Sequence, residues 1–259
     1  MNFIQTAEKL YTEILNIQNP LYEKHRLNAA PPEMINIQDF SLHEHNVKIV
    51  FDQVNLKIIY VSESFEEMTG YSSAEFSNYA LAKLFNHINL DHFMYPYHMA
   101  KWTKDIYDKT KTLKNLKVYT CGLKVKNYKN PKNLRLLIRY SPLEVFENDL
   151  VKLAAITVDD ITHLVKNDHY LLRMESGEHG EFINHFSSIE KKDIPKEILS
   201  KREKEILKLI AGGKESKEIA ADLFISVNTV ENHRRNMIMQ VGARDSTALI
   251  QLCRMMNII

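Results

Sequence analysis

The period of the apolar positions divides this chain into blocks. From Phe3 to Ile17, the residues Phe3, Ala7, Leu10, Tyr11, Ile14 and Leu15 recur every three or four positions, which places them on one face of a helix. That face either packs on the domain that follows or meets a second copy of the chain. Pro31 and Pro32 then open a connector, because proline lacks the amide hydrogen and fixes φ. From Val47 the pattern becomes strand-like. VKIVFD and LKIIYVS are rich in β-branched and aromatic residues, with Asp52-Gln53 as the turn. Short helical pieces follow: ESFEEMTG, SSAEFSN, ALAKLFNH and YPYHMAKWTKDIYD. After Lys114 strands return in NLKVYTCGLKVK, LRLLIRYSPLEVF and VKLAAITVDDIT, the first two joined by the polar turn NYKNPKN. Two strands, several short helices and three antiparallel strands predict an α+β domain over residues 47–162.

Residues 163–195 read as a linker with hairpin character. HLVKNDHYLLRM extends the last strand or forms a short helix, EFINHFSS pairs back as a hairpin, and IEKKDIPKE is charged and broken by Pro195. Helical periodicity then resumes over 196–259. Ser200 and Glu203 stand three apart before an apolar run, the spacing of a capping box. Ile206, Leu207, Leu209 and Ile210 form the buried stripe of this helix, and Gly212-Gly213 ends it. A second helix covers Ser216–Leu223, with Ile219, Ala220 and Leu223 inward, and Phe224-Ile225-Ser226-Val227 is a tight turn. Asn228 and Glu231 repeat the capping-box spacing, so a third helix is predicted from Thr229. Its inward positions are Val230, Met237 and Val241. Its other face carries Glu231, Asn232, Arg234, Arg235 and Asn236, side chains that donate and accept hydrogen bonds as a major-groove helix must. Asp245 or Ser246 caps a fourth helix through Ala248, Leu249, Leu252, Cys253 and Met256.

At 259 residues the chain is long for one compact domain. Its net charge of +1 means that any polyanion must be met by a local patch. Residues 196–259 hold eleven Lys and Arg against eight Asp and Glu, too small a surplus to identify DNA by itself. No apolar run approaches a membrane span, the acidic amino end does not read as a secretion signal, and two distant cysteines make no disulfide framework. A reduced, cytoplasmic protein without membrane partners is expected. The sequence has no phosphate-cradling GxxxxGK, nucleophile elbow, HExxH or kinase motif, so an enzyme is not expected.

Residues 47–162 resemble a PAS domain. The residues that carry the likeness are Ile59-Tyr60-Val61-Ser62, Phe65, Met68-Thr69-Gly70-Tyr71-Ser72, Glu75-Phe76 and the closing Asp159-Asp160-Ile161-Thr162. Ser62 stands where asparagine is usual. The resemblance implies a five-stranded antiparallel sheet with short helices on one face, acting as a sensor, a dimerisation unit or both. Phe85, His87, His92, Phe93, Met94, Tyr95, Tyr97, His98 and Trp102 supply its helical wall, as core or as the lining for a small apolar ligand. Spacings of five and six between His87, His92 and His98 do not suit a metal pair on one helix, and no cofactor is expected. Cys121 falls on a strand, without the asparagine-cysteine-arginine-phenylalanine motif of a flavin photosensor.

Residues 196–259 resemble a LuxR-type (FixJ- or GerE-type) helix-turn-helix. The match runs through Ser200–Leu207, Gly213, Lys217-Glu218-Ile219-Ala220, Leu223-Phe224-Ile225-Ser226, Asn228-Thr229-Val230, Asn232-His233-Arg234 and Val241-Gly242. By that resemblance the third helix enters the major groove of double-stranded DNA. Glu231, Asn232 and Arg235 are its base-edge candidates, and Lys217, Asn228, Thr229, His233 and Arg234 its phosphate candidates. The fourth helix, through Leu249, Leu252, Cys253 and Met256, would pair two subunits, with RNA polymerase as a further partner. Glu231 stands where lysine is frequent, and it either caps its helix or reads a base. Gln240 also replaces a frequent basic residue. The expected protein is a transcriptional regulator controlled or dimerised through its PAS-like domain. The alternative is a ligand- or partner-binding module whose helix-turn-helix grips a protein.

Overall fold

The computed structural model describes residues 3–26, 46–77, 95–126, 133–166, 168, 170–177, 182–187, 192–194 and 197–259. The elements run α1 (Phe3–Arg26), β1 (Val47–Asp52), β2 (Lys57–Val61), α2 (Ser64–Thr69), α3 (Ser73–Phe76), α4 (Tyr95–Thr110), β3 (Lys117–Val125), β4 (Leu134–Val145), β5 (Val151–Asp160), β6 (Leu171–Ser176), β7 (Phe182–Ser187), β8 (Lys192–Ile194), α5 (Lys201–Ala211), α6 (Ser216–Asp222), α7 (Val227–Val241) and α8 (Ser246–Met255). The expected helix at ALAKLFNH, the wall residues Phe85, His87, His92, Phe93 and Met94, residues 127–132 of the turn NYKNPKN and the Pro31-Pro32 connector lie outside the described residues.

All strands share one antiparallel sheet in the order β2-β1-β5-β4-β3-β6-β7-β8. The first five strands in sequence are those the PAS resemblance implies. The sheet is nevertheless eight-stranded, because β6 pairs with β3 (Val118 opposite Met174) and β7 and β8 continue outward. The stretch read as a linker with hairpin character contributes three strands to the sheet, β6 and β7 pairing back on each other. Its Leu171-Leu172 pair extends the ladder at the β3 edge, where unpaired backbone would otherwise face solvent.

Buried residues lie on both faces of the sheet. Val118, Leu136, Tyr140, Val158, Leu172 and Met174 join a core with Trp102 and Ile106 of α4 and with Ile14 and Tyr22 of α1. Tyr119, Cys121, Leu137 and Leu171 belong to a second core, shared with the carboxy-terminal helices. A β-bulge lets β3 serve both. The register shifts between Cys121 and Leu123, around Gly122 at φ 86°, so Tyr119 and Cys121 meet the helices while Leu123 and Val125 line the opposite side.

Helix α1 outruns its sequence pattern and continues through Pro20 to Arg26. Ile14, Gln18 and Tyr22, four apart, are all buried, and packing of that face against α4 outweighs local propensity. The expected packing on the following domain is thus present at Ile14 and Leu15. Ser62, at the usual asparagine position, accepts a hydrogen bond from the Lys48 amide at 2.9 Å and joins β1 to the start of α2.

Between α1, α4 and the sheet lies a cavity of about 240 Å³. Its walls are chiefly apolar, with Phe51, Phe65, Met99 and Ile138 among them. At one end the Tyr140 hydroxyl donates to Gln53 at 3.4 Å, and Gln53 donates to Gln18 at 3.5 Å. Burial pushes the Tyr95 hydroxyl, also on the lining, up to about 12.

Candidate nucleic-acid interface

Four caps fix the carboxy-terminal helices. Ser200 Oγ accepts from the Glu203 amide at 3.2 Å while Glu203 accepts from the Ser200 amide at 2.8 Å, the expected capping box of α5. Gly213 turns the chain after α5 at φ 87°, a conformation that favours glycine. The Glu215 amide donates to Glu218 at the start of α6. Asp245 accepts from the Ala248 amide at 2.8 Å and caps α8.

The start of α7 differs from the expectation. Its cap is Ser226, whose Oγ accepts from the Thr229 amide at 3.0 Å, so the helix begins at Val227. The Asn228–Glu231 capping box does not form, because both residues already lie inside the helix. Glu231 instead accepts from Ser216 Oγ on α6 and pairs with Arg234 Nη1 at 3.1 Å. Arg234 also donates to Ser216 Oγ at 2.8 Å and to Ser246 Oγ at 3.1 Å. One guanidinium thus ties α6, α7 and α8 together. Glu231 is the counter-charge of that strut, and the acid at this position has a structural partner.

Val230, Met237 and Val241 are buried as expected and hold α7 in the core with Ile206, Leu207 and Ile219. The opposite face is open. Asn228, Asn232, Arg235 and Asn236 are exposed, Glu231 and His233 half-buried, and Met239 is 57% exposed. Among the described residues, no side chain holds Asn232 or Arg235. Lys217 is exposed at the start of α6, and Thr229 Oγ1 shares a 2.8 Å hydrogen bond with Ser226. The structure therefore separates neighbouring arginines: Arg234 is a strut and Arg235 is free on the outer face.

The apolar residues of α8 expected at a dimer contact are placed elsewhere. Leu249, Leu252, Cys253 and Met256 are wholly buried within the chain. They fill the core that α8 shares with α5, α7 and the sheet, and none of them lies on the surface in this structure. The exposed positions of α8 are Thr247, Gln251 and Arg254. Burial pushes the thiols of Cys253 and its sheet neighbour Cys121 up to about 12, which keeps both protonated and unreactive at neutral pH.

A charged network seats the helices on the sheet. Arg173 of β6 is 2% exposed and pairs with Glu175 at 2.6 Å and Glu197 at 2.7 Å. It also donates to the Met256 carbonyl at 3.4 Å, and its guanidinium lies 5.3 Å from the centre of the Tyr119 ring. Lys204 of α5 adds a 3.3 Å contact to Glu197. Burial would raise the Glu197 carboxyl, but the hydrogen bonds and charges of Arg173 and Lys204 outweigh it and hold the group below the ordinary value. At the other end, Val165 and Ala243 form an antiparallel bridge. The Lys166 amide donates to the Gly242 carbonyl at 3.0 Å, and the Arg244 amide to the Leu164 carbonyl at 2.8 Å. Sequence reasoning missed Arg173, Lys166 and Arg244, none of which lies in a motif. It also missed the exposure of Phe224, which is 96% accessible at φ 53° in the turn between α6 and α7.

Residues 197–253 match the family described as "GerE: Bacterial regulatory proteins, luxR family". Over 57 residues the chain is 49% identical to the oxygen regulatory protein NreC of Staphylococcus aureus, a span of 22% of this chain and 26% of NreC. The chain thus spans about a quarter of the length of the curated relatives it matches. Among solved structures, the VqmA–ligand–DNA complex of Vibrio cholerae aligns with 86% of this chain and 89% of its own, at 15% identity and a TM-score of 0.33. The PAS domain of the fruit-fly ELK potassium channel aligns with 51% of this chain and 100% of its own, at 18% identity and a TM-score of 0.35. No helix among the described residues is long and apolar enough to cross a membrane. The family match, the four capped helices and the buried face of α7 agree on one conclusion: residues 197–253 are a luxR-family helix-turn-helix domain, joined in this chain to a PAS-like sheet domain.

Proposed function

We propose that this chain is a sequence-specific DNA-binding regulator whose helix α7 enters the major groove and whose PAS-like domain sets when it does so. The open, unpartnered Asn232 and Arg235 on α7 carry this reading, since an amide and a guanidinium are the side chains that recognise adenine and guanine edges. Lys217, Asn228, Thr229 and His233 surround them as phosphate contacts, which position the helix without reading sequence. Arg234 supports the site through its strut. Two copies would engage a two-fold operator, and the stripe Thr247, Gln251 and Arg254 is the face of α8 free to meet the second copy.

Two substitutions separate the roles. In selection from randomised duplexes, Arg235→Ala is expected to relax preference at one base position, a loss of about 1–3 kcal/mol of discrimination. Lys217→Ala is expected to weaken binding to every sequence and to lower the salt slope by about one. Identical losses from both variants on every duplex would overturn the assignment.

Control is proposed to come from an uncharged, mainly apolar small molecule in the 240 Å³ cavity, oriented by the Tyr140–Gln53–Gln18 chain. A native mass spectrum of the purified chain is expected to show a bound mass that denaturation releases. Ala100→Phe, which places a ring in the cavity, should lose it. A spectrum of the bare chain, unchanged by the substitution, would count against ligand control. Phe224 favours a second reading, in which the turn of the helix-turn-helix grips a protein. Absence of DNA binding at low salt would select it.

A further inference from the structure

The segment that follows β5 runs beside the end of the candidate recognition helix. Its placement is fixed by backbone, through the Val165–Ala243 bridge and the hydrogen bonds of Lys166 to Gly242 and of Arg244 to Leu164. Gly242 is the left-handed cap of α7, at φ 76°. Lys166 therefore holds a set position relative to α7, although it belongs to the sheet domain and lies outside the matched residues 197–253.

A groove of about 420 Å³, with charged side chains beside Ile238 and Met239, lies at this junction. Lys166 lines it together with Arg235, Glu231, Arg234, Arg244 and Ser246. The charges do not cancel. Arg234 pairs with Glu231, and Arg244 leans on Asp245 at 3.4 Å. The nearby Asp168 is engaged by Lys124 at 3.0 Å and by Arg135. Lys166 and Arg235 are left exposed and without a carboxylate among the described residues. Two free cations in one groove fit a phosphodiester backbone.

Attraction to the carboxyl end of the α7 dipole is the simpler account of a lysine here. It explains a cation near Gly242 but not why Lys166 and the candidate base reader Arg235 line the same groove. A second simple account is that the sheet covers the recognition face. The exposure of Asn232, Arg235 and Met239 argues against it.

We infer that the DNA interface extends past the helix-turn-helix onto the sheet domain, where the Lys166 ammonium takes a backbone phosphate of the duplex whose groove holds α7. This rests on the proposed DNA-binding function and adds to it a physical link: a change in the sheet domain would move a phosphate contact directly.

The test uses the full chain and a 30-base-pair duplex of random sequence, titrated with salt. Lys166→Ala is expected to lower the slope of log K against log salt by about 0.9 and to weaken binding about fivefold to tenfold at 0.1 M salt. Base preference should not change, and Lys166→Arg should restore the slope. The Lys166 amide bonds survive in both variants, so the junction should remain folded. If Lys166→Ala binds with unchanged slope, or more tightly, while Lys217→Ala weakens binding, this inference fails and the DNA-binding reading stands. If the unmodified chain shows no salt-dependent binding, both fail.

Discussion

Arg173→Ala is expected to cost about 3 kcal/mol, the low end for breaking a buried ion pair, because Glu175 and Glu197 lose their most buried partner and keep only Lys117 at 3.8 Å and Lys204 at 3.3 Å. Glu175 and Glu197 would face each other across the lost guanidinium, and the Met256 carbonyl would lose its donor. The damage should fall on the seam between sheet and helices. In a urea titration followed by hydrogen exchange, the amides of α5 and α8 should lose protection ahead of β4 and β5. A triple variant, Arg173→Met with Glu175→Leu and Glu197→Leu, should recover much of the loss, because apolar replacement of the buried members of such a network is often neutral and Lys204, the remaining cation, is partly exposed. Arg173→Ala with wild-type stability and uniform protection would show that the seam does not depend on this residue.

The same network gives the seam an acid limit. Glu197 is held below its ordinary value of 4.5 when folded, so its contribution is complete above that value and is lost as pH falls through the lower folded value. Acidification below the ordinary carboxylate range should therefore loosen α5 and α8 from the sheet, and Arg173→Ala should blunt that response.

Much of this architecture was legible in the chain, and the misses share a physical cause. Local signals were reliable: Ser200 and Glu203 form their capping box, and Val230, Met237 and Val241 are buried. Asn228 and Glu231 have the same spacing but form no box, because Ser226 offers a hydroxyl two residues earlier and the helix starts there. The sequence pattern of Leu249, Leu252, Cys253 and Met256 did not reveal their nearer partner, since these residues pack on the sheet in this structure. A cue to that second layer was present. Leu136-Leu137-Ile138 and Leu171-Leu172 are continuous, not alternating, as strands buried on both faces are. Nothing local marks Arg173 or Lys166, whose roles exist only once β6 and the segment after β5 meet the helices. The free state of Arg235 and the tied state of Arg234 are likewise invisible in sequence, since the difference lies in Ser216 and Ser246, on other helices.

Met237→Ala is expected to abolish DNA binding without touching any residue that faces DNA. Helix α7 has 15 residues and a polar outer face, a length at which an isolated helix is marginal in water. Its position rests on the buried positions Val230, Met237 and Val241, and Met237 has no exposed surface. Truncating a buried methionine to alanine costs about 2–5 kcal/mol. That loss is a large share of the roughly 5–15 kcal/mol by which a folded domain is stable, and it falls on the seam that positions the recognition helix. Shared packing with Tyr119, Cys121 and Leu171 should keep α8 seated on the sheet. The expected result is then local: α7 amides exchange freely, the sheet melts as before, and affinity for a random duplex falls to that of an unstructured basic segment. Met237→Leu, which keeps the volume, should cost less than about 1.5 kcal/mol and bind normally. If Met237→Ala retains both affinity and α7 protection, the helix is held by something other than its apolar seam, and the separation of an inward face from a DNA face fails with it.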